Sequence, residues 1–229
     1  MDLKNFEQSI GVVFKDKDLL RQAFTHRSYL NEHKELTGGH NERLEFLGDA
    51  VLELIVTEHL FEKYPECNEG EMTSLRAAVV NADALSSVAQ NLLMNDYLLL
   101  SRGEAKDKGR ARQYILANTF EALIGAIFLD QGYDVARDFI AHNTFNLLAD
   151  IVKKGFWIDS KSSFQEEAQE RAGVTPSYKT IREDGPDHDK WFTVGVFLGG
   201  EEVAQGKGKS KQDAEQAAAR EGLKAKGWG

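Results

Sequence analysis

The chain is poor in three things. It has one cysteine, Cys67, and three prolines in 229 residues. No apolar run approaches the ~18 residues that a membrane-spanning helix needs. It also lacks positive charge, with 28 Lys and Arg against 37 Asp and Glu and a net charge of −9. A lone cysteine excludes an intrachain disulfide and makes a reducing, cytoplasmic setting the expectation. The start, Met1-Asp-Leu-Lys-Asn-Phe6, has no apolar signal core, so neither export nor a membrane partner is expected. The negative balance argues at first against nucleic acid as a partner. It does not exclude one, because local clustering of Lys and Arg matters more than the sum. Hydrophobic residues make up 41% of the chain, enough for one large core or two smaller ones.

The periodicity changes once along the chain. Apolar residues recur at three and four through 3–150, which predicts helices at about 3–12, 17–24, 40–64, 71–90, 111–129 and 133–149. Nothing before residue 155 alternates well enough for a strand. Residues 153–160 read as a linker between a first domain at 1–152 and a second at 161–229. The second domain predicts a helix at about 161–173. Strands follow at 175–181, 190–198 and 202–207, then an Ala-rich helix at 210–226. The expected fold is therefore an all-α domain followed by an α-β-β-β-α domain.

The chemistry concentrates in Asn41-Glu-Arg-Leu-Glu-Phe-Leu-Gly-Asp49. On a helix, Glu42, Glu45 and Asp49 fall within about 60° of one another. Most other faces of that segment are apolar, which predicts a buried helix. Carboxylates buried together are costly unless a cation neutralises them, and Mg²⁺ prefers oxygen ligands. Glu53 falls on the same face and reads as solvated near the helix end. A second segment, Ile115–Gly125, places Asn118 and Glu121 three apart, again interrupting an apolar run. Two helices offering oxygens at this spacing could hold one or two Mg²⁺ for phosphodiester hydrolysis. Ordinary surface charge on amphipathic helices is the competing reading. Glu69 lies at a turn just before another helix. His26, His33 and His40 match no usual zinc spacing and read as surface or interface residues. Cys67 reads as a free thiol, and Trp157, Trp191 and Trp228 as packing residues.

The second domain carries the local positive charge. Gly206-Lys-Gly-Lys-Ser-Lys-Gln-Asp213 leads into the Ala-rich helix. Ser210 is placed to cap that helix, and Lys207, Lys209 and Lys211 surround its N-terminus, a phosphate-binding arrangement. The first helix of the domain exposes Gln165, Glu166 and Gln169, and the turn Gly185-Pro-Asp-His188 presents a polar tip. In the first domain Arg102, Lys106, Lys108, Arg110 and Arg112 cluster in a Gly-containing loop. They read either as steering phosphates or as a solvated loop.

At this point the sequence resembles a family. Asn41–Val51, Glu69-Gly-Glu-Met-Thr-Ser-Leu-Arg76, Gly103-Glu104, Ala117–Gly125 and His26-Arg-Ser-Tyr29 are similar to the signature blocks of bacterial ribonuclease III. Residues 161–226 resemble its double-stranded RNA-binding domain. The resemblance implies a homodimeric, Mg²⁺-dependent endonuclease that cuts double-stranded RNA, leaving 5′-phosphate and 3′-hydroxyl ends. Mn²⁺ is expected to substitute for Mg²⁺, and ribosomal RNA precursors and structured messengers are the expected substrates. By motif position, Glu45, Asn118 and Glu121 would hold metal. Asp49 and Glu121 would serve the chemistry, Glu42 and Glu69 would be supporting acids, and Phe46 would pack at the dimer interface. Gln165, Glu166, Gln169 and His188 would touch minor grooves, with Lys207, Lys209 and Lys211 on the intervening phosphates.

Two positions depart from the family pattern. A second Lys usually stands where this chain has Gln212, which removes one phosphate contact. Asp usually stands where this chain has Asn118, and an amide oxygen ligates Mg²⁺ without adding charge. Three readings of Asn118 stay open: a tolerated variant, an introduced change that traps an inactive form, or a natural loss of activity. The last would leave a non-catalytic RNA-binding protein.

Overall fold

The computed structural model describes residues 3–35, 38–154, 160–186 and 190–228, with the side chains of 150, 151, 153 and 154 left aside. Contacts divide the chain into two compact units, Met1–Trp157 and Ile158–Gly229.

The first unit is helical. Its elements are α1 (Lys4–Ile10), α2 (Lys17–Ala23), α3 (Arg27–Glu32), α4 (Glu42–Lys63), α5 (Glu69–Val79), α6 (Ala82–Asn91), α7 (Arg110–Gln131) and α8 (Tyr133–Lys154). The expected helix at 71–90 is two helices. The Asn81 side chain accepts from Ala84 N at 2.9 Å, which caps a new helix where the first one ends at Val80. α5 opens on a capping box, in which Asn68 accepts from Glu71 N and Glu71 accepts from Asn68 N. α3 was not expected; it has six residues, too few for a periodic signal, and His26 caps it. In keeping with the sequence, the described residues of this unit form no named strand, only an isolated bridge between Thr25 and Leu99. No helix among the described residues is long and apolar enough to cross a membrane.

α7 is the axis of this unit. Leu116, Ala117, Phe120, Ala122, Leu123, Ile124, Ala126 and Ile127 are all 2% exposed or less, so it is enclosed on nearly every side. α4 crosses it at close range because glycines meet at the crossing. A Cβ built at Gly48 would overlap the Glu121 carbonyl oxygen and stand 2.8 Å from Gly125 N. One built at Gly125 would overlap the Leu44 carbonyl oxygen. The two backbones touch there because neither carries a side chain.

The expectation that α4 is a buried helix holds for one face only. Leu44, Val51, Leu52, Ile55, Val56 and Leu60 are buried, but Phe46 is 82% exposed, Leu54 58% and Phe61 71%. These three fall within about 80° of arc, a second apolar stripe that α7 does not cover.

The second unit has the expected α-β-β-β-α order: α9 (Ser160–Ala172), β1 (Ser177–Asp184), β2 (Trp191–Leu198), β3 (Glu201–Gly208) and α10 (Lys211–Lys226). The sheet is antiparallel in the order β1-β2-β3. Gly199 and Gly200 both take positive φ (57° and 94°), as a two-residue hairpin turn requires. Phe164 and Ala168 of α9, Val196 of β2, and Ala218, Ala219 and Leu223 of α10 form the core. Gly206 and Gly208 let α10 lie against β3: a Cβ at Gly208 would stand 2.6 Å from Asp213 Cβ. Of the expected linker, Lys153, Lys154 and Ser160 belong to α8 and α9, while 155–159 lie outside the described residues.

Candidate functional site

The α4–α7 crossing sets the acidic site. Because Gly48 and Gly125 allow backbone contact, the residues flanking them on each helix face one another. Glu45 and Asp49 come from α4, and Asn118 and Glu121 from α7. Glu121 is half-buried, and its carboxyl pKa is pushed up to about 8 by desolvation and then by Asp49, Glu45 and Glu53. Glu45 is half-buried and is also raised, by desolvation first, then by Glu42 and Asp49. A hydrogen bond from the Asn118 amide works the other way, holding Glu45 ionised. Carboxylates that repel one another at a half-buried crossing are what the two segments predicted.

Glu53 was misread as solvated. It lies in the middle of a helix that runs to Lys63, is half-buried, and its negative charge helps to raise the Glu121 pKa. Its place one turn after Asp49 was the available signal. Glu42 is exposed at the start of α4, where Arg27 (3.4 Å) and His40 (3.8 Å) pair with it. Glu69 is exposed on the first residue of α5, and it is not among the charges that raise Glu45 or Glu121.

Hard oxygen donors under mutual repulsion suit a divalent cation in kind. Among the described residues, however, no group of three His, Cys, Asp or Glu stands close enough to form a metal cage. Mg²⁺ does not require one, since it commonly takes one or two carboxylates and keeps water and substrate oxygens for the rest. The donor set therefore fits Mg²⁺ and offers nothing soft for zinc or copper. The Asn118 side chain offers its carbonyl oxygen as a neutral donor for a cation.

The other sequence-based expectations divide. His26 caps α3, accepting from Ser28 N at 3.3 Å, and burial lowers its pKa. Cys67 is half-buried, and burial pushes its thiol up, which suits an inert thiol. The basic loop before α7 is only partly a phosphate surface. Arg112 is half-buried and donates to the Glu104 carbonyl at 2.6 Å and to Asn95 Oδ1 at 3.1 Å, so it builds the loop. Arg110 lies over the exposed Tyr114 ring, and Arg102, Lys106 and Lys108 are exposed.

In the second unit Gln165, Glu166 and Gln169 are exposed along α9, with Gln169 one turn beyond the adjacent pair Gln165 and Glu166. Ser210 caps α10, accepting from Asp213 N at 3.1 Å. Lys207, Lys209 and Lys211 are exposed around that end, but they are not simply a free cluster. Lys211 pairs with Glu183 at 3.2 Å and stands 5.6 Å over the Phe192 ring. Trp191 was expected to pack inside; it is 43% exposed, with Lys209 over its ring at 5.6 Å. Trp228 does pack, against Phe164. His188 and Trp157 lie outside the described residues.

A helical unit with opposed carboxylates, joined to an α-β-β-β-α unit with a basic helix end, defines the class: an endoribonuclease for double-stranded RNA. The comparisons agree. The family model for ribonuclease-III-like domains matches residues 16–148, and that for the double-stranded RNA binding motif matches 160–225. Ribonuclease 3 of Enterococcus faecalis is 45% identical over 95% of this chain and 94% of its own length. That of Bacillus velezensis is 46% identical over 96% and 88%. The solved nuclease domain of ribonuclease III from Campylobacter jejuni is 40% identical, covering 62% of this chain and 98% of its own, with a TM-score of 0.56. The chain belongs to the ribonuclease III family.

Proposed function

We propose that this endoribonuclease cuts duplex RNA by divalent-cation-assisted phosphodiester hydrolysis. The convergence of Glu45, Asp49, Asn118 and Glu121 across the α4–α7 crossing carries the reading. Glu45, Asn118 and Glu121 would hold Mg²⁺, with Mn²⁺ as a substitute. Bound there, the ion would lower the pKa of a water and offset charge on the phosphate, and the cut would leave a 5′-phosphate and a 3′-hydroxyl. The protein's own part is positional. Half-buried Glu121 and Glu45 fix oxygens at a crossing that the glycines hold closed, and Asp49 stands beside them for the chemistry. Glu42 and Glu69 keep the rim acidic. Domains of 1–152 and 161–229 would divide cutting from binding. The second would engage A-form RNA through Gln165, Glu166, Gln169 and His188 on minor grooves and through Lys207, Lys209 and Lys211 on phosphates. Ribosomal precursors and structured messengers in the cytoplasm are the proposed substrates.

Asn118 leaves the site one negative charge short and favours a second reading, a duplex RNA binder without hydrolysis. Asn118→Asp separates the two. On a long RNA duplex at limiting Mg²⁺, the parent cleaves, and the variant cleaves as well or better. Without divalent cation the variant melts at a lower temperature, because a carboxylate replaces the amide that bonds to Glu45. A parent that binds duplex but never cuts it at any Mg²⁺ level establishes the binder instead. A large loss of cleavage in Asn118→Asp would show that a neutral group is required there.

A second copy of this chain is the proposed cover for the Phe46, Leu54 and Phe61 stripe, so that a dimer with two sites could cut both strands. Phe46→Glu places a charge in that apolar face. Light scattering should then report a monomer where the parent is a dimer, with unchanged helix content by circular dichroism.

A further inference from the structure

The basic end of α10 already holds an anion from its own chain. Glu183, next to last in β1, pairs through its two carboxylate oxygens with Lys211 Nζ at 3.2 Å and Lys190 Nζ at 3.5 Å. The pairing register places Glu183 opposite Phe192 on β2, and Phe192 opposite Gly208 on β3. Phe192 is the ring over which Lys211 stands. The lysine stem is thereby laid across the sheet, and its ammonium is held against Glu183 beside the Ser210 cap.

We propose that Glu183 is an affinity-setting residue of the RNA-binding surface, an internal carboxylate that a duplex backbone phosphate must displace from Lys211. The inference rests on the reading of this unit as a duplex RNA binder. Carboxylate and phosphate ask the same thing of an ammonium, a charge-assisted hydrogen bond to an anionic oxygen. The two lysines hold the Glu183 carboxyl below its usual range, so the competitor is fully ionised at neutral pH. The competition is mild, because exposed ion pairs are weak and readily exchanged. An isolated phosphate cannot repay the exchange. A duplex that engages α9 at the same time can, because its other contacts hold the phosphate at high local concentration. Glu183 thus trades affinity for discrimination against anions that lack the length of a double helix.

The test is anisotropy of a fluorescein-labelled RNA duplex titrated with full-length protein in EDTA, so that no cleavage occurs. Glu183→Gln keeps size and hydrogen bonding while removing the charge. It should tighten duplex binding about three- to five-fold at moderate salt. Lys211→Ala should weaken binding. In Lys211→Ala with Glu183→Gln, most of the gain from the Gln should vanish. An equal gain with and without Lys211 would reduce Glu183 to a general surface charge and overturn the proposal. Unchanged or weaker binding by Glu183→Gln would show that the carboxylate positions Lys211 rather than competing for it. A parent that binds no duplex would overturn the RNA-binding reading itself, and the inference with it; the parent's own titration therefore separates the two failures.

Discussion

Glu121→Gln abolishes cleavage while duplex binding survives, and without divalent cation it makes the protein more stable above neutral pH. Both effects have one cause. The Glu121 carboxyl is desolvated on α7 and faces Asp49, Glu45 and Glu53, which pushes it up to about 8. In the unfolded chain it titrates near the ordinary carboxylate value of 4.5. Between these pH values the folded state holds a proton that the unfolded state has lost. The resulting stability is fully present below about pH 4.5 and fades as pH rises through 8. The metal-free parent should therefore melt at a lower temperature at pH 9 than at pH 6, by an amount on the order of 1–3 kcal/mol after allowing for residual solvent. Gln carries no such charge, so the variant's melting curve should flatten over that range. Mg²⁺ should raise the parent's melting temperature, more so at the higher pH, and leave the variant nearly unmoved. Cleavage should fall by roughly 10²–10⁴-fold or more, since the proposed metal ligand and its negative charge are lost from the centre of the site. A variant that cuts at parental rates, or an apo parent whose stability climbs between pH 6 and pH 9, would remove Glu121 from the role given it here.

Gly48→Ala should be the most damaging single methyl group in the first unit. The added carbon would land on the Glu121 carbonyl oxygen and press on Gly125 N, both backbone atoms of α7. No rotamer change relieves that clash, so α4 and α7 must part. Overpacking a core typically costs about 1–3 kcal/mol, and a backbone clash belongs at or above the upper end. Cleavage should fall further than stability alone explains, because separation moves Glu45 and Asp49 away from Asn118 and Glu121. Gly103→Ala is the control. A Cβ there meets only Ser101 Oγ at 3.8 Å, and the variant should melt close to the parent. Urea denaturation and cleavage of one duplex, run on both variants, would decide the matter. A Gly48→Ala protein of parental stability would mean that the helices do not touch.

What was legible in the sequence was local. The i, i+3 and i+4 spacing of Glu42, Glu45, Asp49, Asn118 and Glu121 follows from helix geometry alone, and two apolar segments were enough to place it. The α-β-β-β-α order followed from a change of period, with Gly199-Gly200 marking a hairpin. The misreadings were of neighbours. Glu53 was treated as solvated near a helix end, yet α4 runs on to Lys63 and the Glu53 charge acts on Glu121 of α7. Arg112 read as one of five loop cations, either steering phosphates or solvated, yet Asn95 and the Glu104 carbonyl hold it. Asn81 ended a helix that apolar periodicity carried straight through, since a cap acts through one side chain and periodicity does not register it.

The sequence by itself determined the two units, most of their elements and the residues with the oxygens and charges for the chemistry, because helix period and strand alternation are properties of a few consecutive residues. Only the tertiary structure decided which of those residues meet. Gly48 finds Gly125 across 77 positions and so sets Glu45 against Asn118, while Phe46, Leu54 and Phe61 on the same helix are left uncovered. Glu183 finds Lys211 across 28 positions and turns a basic cluster into a guarded one. Such contacts depend on how two remote surfaces fit, and no window along the chain contains both halves of a fit.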